Sequence, residues 1–163
     1  TSKQIYNDFL EDKFVTNTAE AKLQEICDNE IIDFEDYYLI PFKCCLDSKA
    51  RAFQYKLNHN IYPTNDKLCM MNIIDSAQCR NCNDTETLTH LFVECVETKL
   101  FWVDLFRTAG PLSGKNNLSV KEIILGIPDD SNDPQCKLLN HIIIMAKQHL
   151  SFVRAKKTKT QYN

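Results

Sequence analysis

The spacing Cys79-x2-Cys82-x7-His90-x4-Cys95 limits what this chain can fold into more than any other feature it carries. Two thiols three residues apart share one tight turn, where backbone N–H groups can also donate to the sulfurs. A following segment then returns an imidazole and a third thiol to complete a tetrahedron. A set of three cysteines and one histidine fills all four positions of zinc. No position is left for water or substrate, so the implied ion is structural, one Zn2+ per chain, and not a catalyst. Neither His-Glu-x-x-His nor His-x-Glu with Pro-Cys-x-x-Cys occurs, which separates the pattern from metalloproteases and zinc deaminases. Zinc-finger peptides gain on the order of 10 kcal/mol from such an ion, so residues 76–100 are expected to need it for folding.

The same spacing makes a geometric demand. If Asp84 or Thr85 caps a helix running through Glu94, His90 and Cys95 lie five residues apart, about 140° around a regular α-helix. Side chains so placed cannot converge on one ion. The helix must therefore loosen, end or bulge between them.

Helical periodicity surrounds the cluster. Residues 2–12 put Ile5, Phe9 and Leu10 on one side, and residues 18–28 do the same with Leu23, Ile26 and Cys27. The acidic stretch Asn29 to Tyr38, ending in Leu39-Ile40-Pro41, reads as irregular. Asp47-Ser48 cap a helix to about Asn60 with Leu46, Ala50, Phe53 and Leu57 inward and Arg51, Tyr55 and Asn58 outward. A short helix, Asn65 to Met71, follows Pro63. Phe101, Trp102, Leu105 and Phe106 form a core stripe on a helix stopped by Gly110-Pro111. Ser119-Val120-Lys121-Glu122 is a capping box. Asp133, with Pro134 in the first position, opens the longest helix, which runs inward through Leu138, Leu139, Ile142, Ala146, Leu150 and Val153. With only 3 glycines, a phosphate-cradling loop or a many-turned β fold is disfavoured. The fold expected is mainly α, a small helical domain with an embedded structural Cys3His zinc site and at most one short hairpin around the cysteines. Residues 1–45 would be an N-terminal segment packing on the core, 46–110 a helix plus the zinc-binding core, and 111–163 C-terminal helices with a basic tail, all as one domain.

Eight cysteines in a chain of 163 residues, 44% of them apolar, read better as reduced thiols than as four disulfides, because a core this size needs no staples. Cys27, Cys44, Cys69 and Cys136 read as small buried hydrophobes. The longest apolar run is five residues, Ile142 to Ala146, so no membrane span is expected and the chain reads as intracellular. Net charge is −3, distributed as −6 over residues 1–50, −1 over 51–100 and +4 over 101–163. Attraction to a polyanion must therefore be local. Pro128-Asp129-Asp130 reads as a turn ahead of a helix cap and not as a polymerase aspartate pair, since no apolar strands flank it.

The run Arg51 to His59, then Ile61 to Leu68, then the two cysteines, then Glu86-Thr87-Leu88-x-His90-Leu91-Phe92-x-x-Cys95, and finally Phe101-Trp102, resembles the CCHC zinc-binding C-terminal region of reverse transcriptases from non-LTR retrotransposons of the long interspersed type. The likeness is strongest over residues 51–102. It implies a non-catalytic segment downstream of the polymerase, in a parent protein that is an RNA-directed DNA polymerase with an endonuclease and performs target-primed reverse transcription. By position, Cys79, Cys82, His90 and Cys95 would be the ligands, and Gln54, Lys56 and His59 match polar family positions. The partners implied are the element's RNA, with target DNA left open as another, and the upstream reverse transcriptase domain. No membrane and no small-molecule substrate is implied. The compartments would be a cytoplasmic ribonucleoprotein and the nucleus.

Two functions compete. Nucleic-acid binding would use Lys49, Arg51, Gln54, Tyr55, Lys56 and His59 on one helix, Arg80 on the metal turn, and a tail with Arg154, Lys156 and Lys157, while Tyr55 or Tyr62 stacks on an unpaired base. Arg80 stands out because two ligands fix its backbone. The rival is a docking module that clamps the polymerase core and touches nucleic acid little, favoured by the acidic first 50 residues, which repel phosphate.

Overall fold

The structure, a computed structural model, describes residues 18–27, 32–113, 115, 117–129 and 132–159. The helix read over residues 2–12 lies outside them, as does Asp130. The described residues are mainly helical: α1 (Thr18–Ile26), α2 (Phe34–Cys44), α3 (Ser48–Asn58), α4 (Asn65–Met70), a π-turn (His90–Glu94), α5 (Val96–Ser113), α6 (Val120–Ile124) and α7 (Pro134–Lys159). Among these residues the one β-type pairing is an antiparallel bridge between Gln78 and Thr85.

Several helix starts fall where a side chain takes up the first free N–H groups. The carboxylate of Asp47 accepts from Lys49 N at 3.0 Å, Ser119 and Glu122 close a reciprocal capping box, and Asp133 accepts from Gln135 N and Cys136 N. Two segments depart from the sequence reading. The stretch expected to be irregular up to Tyr38 holds the start of α2, capped by Asp33, and α2 continues through Pro41. Helix α5 likewise runs past Gly110-Pro111 to Ser113, because a proline in the last turn removes only one hydrogen bond.

What lets α2 tolerate Pro41 is a polar network that the sequence does not announce. Proline has no N–H to offer the Tyr37 carbonyl one turn back. The Asn58 amide donates to that carbonyl instead, at 3.3 Å. Gln54 Nε2 donates to Asn58 Oδ1 at 2.7 Å and to the Ile124 carbonyl at 2.9 Å, where α6 ends. Lys147 Nζ donates to the same carbonyl at 2.8 Å and to Gln54 Oε1 at 2.7 Å. All three side chains are buried. Asn58, expected on the outward face of α3, and Gln54, expected among that helix's nucleic-acid contacts, therefore serve the interior. Conversely Leu46, expected in the core, is 95% exposed, because it precedes α3 in extended backbone and the helical period does not reach it.

One buried apolar cluster joins Leu23, Tyr37, Leu57, Phe92, Trp102, Ile124, Leu139 and Ile143. Helix α7 packs on α2, α3 and α5, and the π-turn packs on α5 and α6. The inward face of α7 is centred on Leu139, Ile143, Ala146 and Lys147, while Leu138 is exposed. Rings of Phe53, Tyr62 and Phe92 meet edge to face with centroids 5.5 to 6.1 Å apart, an arrangement that suits their quadrupoles. Gly126, at φ +101°, turns the chain out of α6, and a Cβ there would lie 2.9 Å from Asn140 Oδ1. Among the described residues no helix is long and apolar enough to cross a membrane.

Candidate metal centre

The Cys79 to Asp84 turn is closed by its own backbone. Cys79 N donates to Asp84 O at 2.7 Å, Asn83 N donates to Cys79 O at 3.0 Å, and Glu86 N donates to Ala77 O at 2.8 Å. Asn83 adopts φ +62°, a left-handed conformation that asparagine tolerates better than most residues. Thr87, and not Asp84 or Thr85, caps the next helix: its hydroxyl accepts from His90 N at 3.1 Å.

Beyond Thr89 the helix widens. Cys95 N donates to His90 O at 2.9 Å, five residues back, and the chain then leaves helical geometry at Cys95 with ψ 137°. This is the loosening that the His-x4-Cys spacing requires, since the wide turn brings residues i and i+5 onto one side. Opening the ladder leaves carbonyls to satisfy. The Thr98 hydroxyl donates to Leu91 O at 2.9 Å, and Trp102 Nε1 donates to Phe92 O at 2.7 Å. Both side chains are buried. Helix α5 thus reaches back across its own start and fixes the break.

The result is convergence. One ligand atom from each of Cys79, Cys82, His90 and Cys95 lies within 4.8 Å of the others. Cys79 Sγ and Cys95 Sγ are 3.9 Å apart, and Cys82 Sγ is 3.2 Å from His90 Nε2. A tetrahedral zinc with Zn–S of about 2.3 Å and Zn–N of about 2.0 Å has ligand–ligand edges of about 3.5–3.8 Å, so these separations and the soft donor set fit that ion. Asn81 Nδ2 approaches Cys95 Sγ at 3.9 Å from within the turn, a neighbour whose position between the two cysteines was the only signal for it. Burial pushes the Cys79 thiol up. At Cys82 a backbone hydrogen bond at Asp84 favours the thiolate, but desolvation and the adjacent Cys79 outweigh it and push the thiol up to about 12. A dication among the sulfurs reverses that balance by favouring thiolates.

The turn is latched to the end of the chain. Glu86, buried beside it, accepts from Asn65 N at 3.1 Å and pairs with Arg154 Nη2 at 2.5 Å. Arg154 also donates to Pro63 O at 3.0 Å and to Asn65 Oδ1 at 2.9 Å. Its guanidinium therefore ties α7 to the loop before α4, a role that sequence reasoning missed because a basic tail looks like solvated charge.

The residues expected to meet nucleic acid do not share one cleft. Arg80 and Arg154 line one open cleft of about 660 Å³, with Pro63, Asn65, Gln78 and Asn83 also on its walls. Tyr55, Lys56 and His59 do not line it. Tyr55 and Lys56 are exposed on α3, and the half-buried His59 ring stacks on Tyr38 with centroids 5.0 Å apart. Arg51 Nε donates to Cys45 O, and its guanidinium sits over the Phe42 ring. Lys156 lies over Phe152, and Lys157 follows on the last turn of α7. Two placements need correction. Gln54 is buried with its amide engaged in the interior, and Tyr62 is buried with its hydroxyl 2.5 Å from Ser151 Oγ, so neither presents itself to a base.

No curated protein and no solved structure matches this chain. Residues 2–102 match the family model described as zinc-binding in reverse transcriptase. Its ligand set converges as such a domain requires, and the matched span covers more than half of the sequence: the chain belongs to the zinc-binding in reverse transcriptase family.

Proposed function

We propose that this chain is the non-catalytic, zinc-stapled C-terminal domain of a retrotransposon reverse transcriptase, and that it grips nucleic acid while bond-making takes place in the parent polymerase. One structural zinc per chain would be held by Cys79, Cys82, His90 and Cys95, supplying rigidity and charge neutralisation and no chemistry on substrate. The observation that carries the reading is Arg80, exposed on the turn between two ligands and facing the cleft it shares with Arg154. A cation on so rigid a turn loses little entropy when it meets a phosphate. Lys56 on α3 and Lys156 on α7 are further exposed contacts suited to the phosphate backbone, and Tyr55 on α3 is one suited to a base. The element's RNA is the first partner, target DNA a second, and a ribonucleoprotein within the cell the setting.

A salt titration tests this. Binding of single-stranded RNA through several phosphates should weaken with a log–log slope of about −0.7 per neutralised phosphate, and Arg80→Glu with Lys56→Glu should flatten the slope and weaken binding. Parent-level affinity in the charge-reversed pair would remove the proposed site.

The docking alternative has its own support. Val96, Leu100 and Val103 follow one another along α5 and are each about three-fifths exposed, an apolar stripe of the kind that partners cover. A domain that shows no RNA affinity at low salt yet binds the upstream reverse transcriptase domain would favour that reading.

A further inference from the structure

A second cluster of reactive side chains lies away from the zinc ligands, where α2 ends. Cys44 is the last residue of α2 and Cys45 caps it, its N–H donating to Pro41 O at 3.1 Å before the backbone turns extended. The two sulfurs are 3.6 Å apart. From α7, His141 places Nδ1 3.1 Å from the Cys44 carbonyl oxygen and 3.5 Å from Cys45 Sγ. A carbonyl only accepts, so Nδ1 carries the proton, and that N–H lies between the carbonyl and the Cys45 sulfur. On the other side Arg51 Nε donates to Cys45 O at 2.8 Å, bringing a fixed positive charge to the same residue. The Cys45 sulfur thus has the His141 N–H and the Cys44 thiol within reach, with the Arg51 guanidinium on the same residue's backbone.

We propose that Cys44 and Cys45 form a peroxide-sensitive thiol pair, with Cys45, held by His141, as the attacking sulfur and Cys44 as the resolving one. The Cys45 thiolate attacks one oxygen of hydrogen peroxide. The O–O bond breaks, sulfur gives up two electrons to become the sulfenic acid, and the departing hydroxide is protonated to water. The Cys44 sulfur then attacks the Cys45 sulfur and loses its proton, the sulfenic oxygen leaves as a second water, and a disulfide remains. Two thiols and one peroxide therefore give one disulfide and two waters. Consecutive Cα atoms stand about 3.8 Å apart, below the roughly 4.4 Å at which unstrained disulfides begin. The ring so formed is strained and readily reopened by a thiol, which makes the change reversible.

The hydrogen bond from Cys44, with support from His141 and Arg51, holds the Cys45 thiol below its ordinary value against desolvation, while Cys44 itself is pushed well above. Exposure alone would rank the sites the other way. Cys45 is buried, whereas Cys69 and Cys136 are half-buried; Cys136 Sγ has one amide donor, Asn140 Nδ2 at 3.6 Å, but desolvation and the nearby Asp129 and Asp133 carboxylates push its thiol up.

The test uses the full zinc-loaded chain, limiting hydrogen peroxide, an alkylating quench and mass analysis of tryptic peptides. The peptide Cys44 to Lys49 should lose two hydrogens ~10-fold faster than the Cys69 or Cys136 peptides gain oxygen, and dithiothreitol should restore it. Cys44→Ser should stop at a dimedone-reactive sulfenic acid on Cys45. His141→Ala, with zinc content and melting temperature retained, should slow the first step. Oxidation of Cys69 or Cys136 at an equal or greater rate in the parent chain would overturn the proposal without recourse to any variant.

Discussion

Thr98→Val is the substitution that tests how the metal centre is assembled. The two side chains have nearly the same shape, so the change deletes one donor and little volume. Thr98 Oγ1 donates to Leu91 O at 2.9 Å in a buried setting, and that carbonyl lies in the widened turn where the regular helical ladder is broken. A buried acceptor left without its donor costs about 1–3 kcal/mol. For a chain of this size 1 kcal/mol moves the midpoint by about 2–4 °C, so the melting temperature of the zinc-loaded protein should fall by about 4–8 °C for a loss near 2 kcal/mol. The second consequence is more specific. The same hydrogen bond fixes the break that places Cys95 opposite His90, so zinc affinity, measured by competition with a chromogenic chelator, should drop ~10-fold or more. Trp102→Phe, which removes the indole donor to Phe92 O, should act in the same direction. A melting temperature within 2 °C of the parent's, with unchanged zinc affinity, would refute the claim that α5 holds the turn open.

Other expectations follow from the buried polar groups and the strained turn. Arg154→Met leaves Glu86 buried with a single backbone donor and should cost about 3–5 kcal/mol, whereas Arg154→Met with Glu86→Gln should recover much of the loss, as denaturant titrations of both would reveal. Burial of Lys147 lowers its ammonium to about 7, below the unfolded value of 10.5. The unfolded chain therefore binds the extra proton between those values, and the contribution of this group to stability is complete above the unfolded value and lost as pH falls toward about 7. The stability difference between the parent and Lys147→Met should accordingly rise with pH across that window; a flat difference would contradict it. Gly126→Ala combines a left-handed φ with a Cβ at 2.9 Å from Asn140 Oδ1 and 3.0 Å from Ile40 Cδ1, and should destabilise by more than about 1 kcal/mol in thermal melts.

The parts of the molecule that follow from local rules could be read directly from the residues. Asp47, Ser119 and Asp133 cap helices because their side chains reach N–H groups two or three residues on, a contact decided within one turn of chain. The demand that the helix loosen between His90 and Cys95 was likewise local geometry, and the π-turn answers it. Long-range compensation escaped. Pro41 argues for a helix end at every local level, yet α2 continues because Asn58, 21 residues on from the Tyr37 carbonyl it bonds, supplies the missing donor. Gln54 and Asn58 read as surface residues for the same reason, since what draws them inward lies on α2 and α6. Arg154 resembled tail charge because its partner Glu86 lies 68 positions earlier, and nothing near either residue predicts the pairing. Thr98 and Trp102 stand at helical positions whose apolar period explained them already, so their hydrogen bonds to the opened turn carried no separate sequence signal.

X-ray absorption at the zinc edge, on protein purified without chelator, tests the central claim most directly. One zinc per chain is expected, with three sulfurs at about 2.3 Å and one nitrogen at about 2.0–2.1 Å. A metal-free chain, or an ion carrying a water oxygen in place of one of these four ligands, would contradict a closed structural centre and with it the division of labour between grip and catalysis.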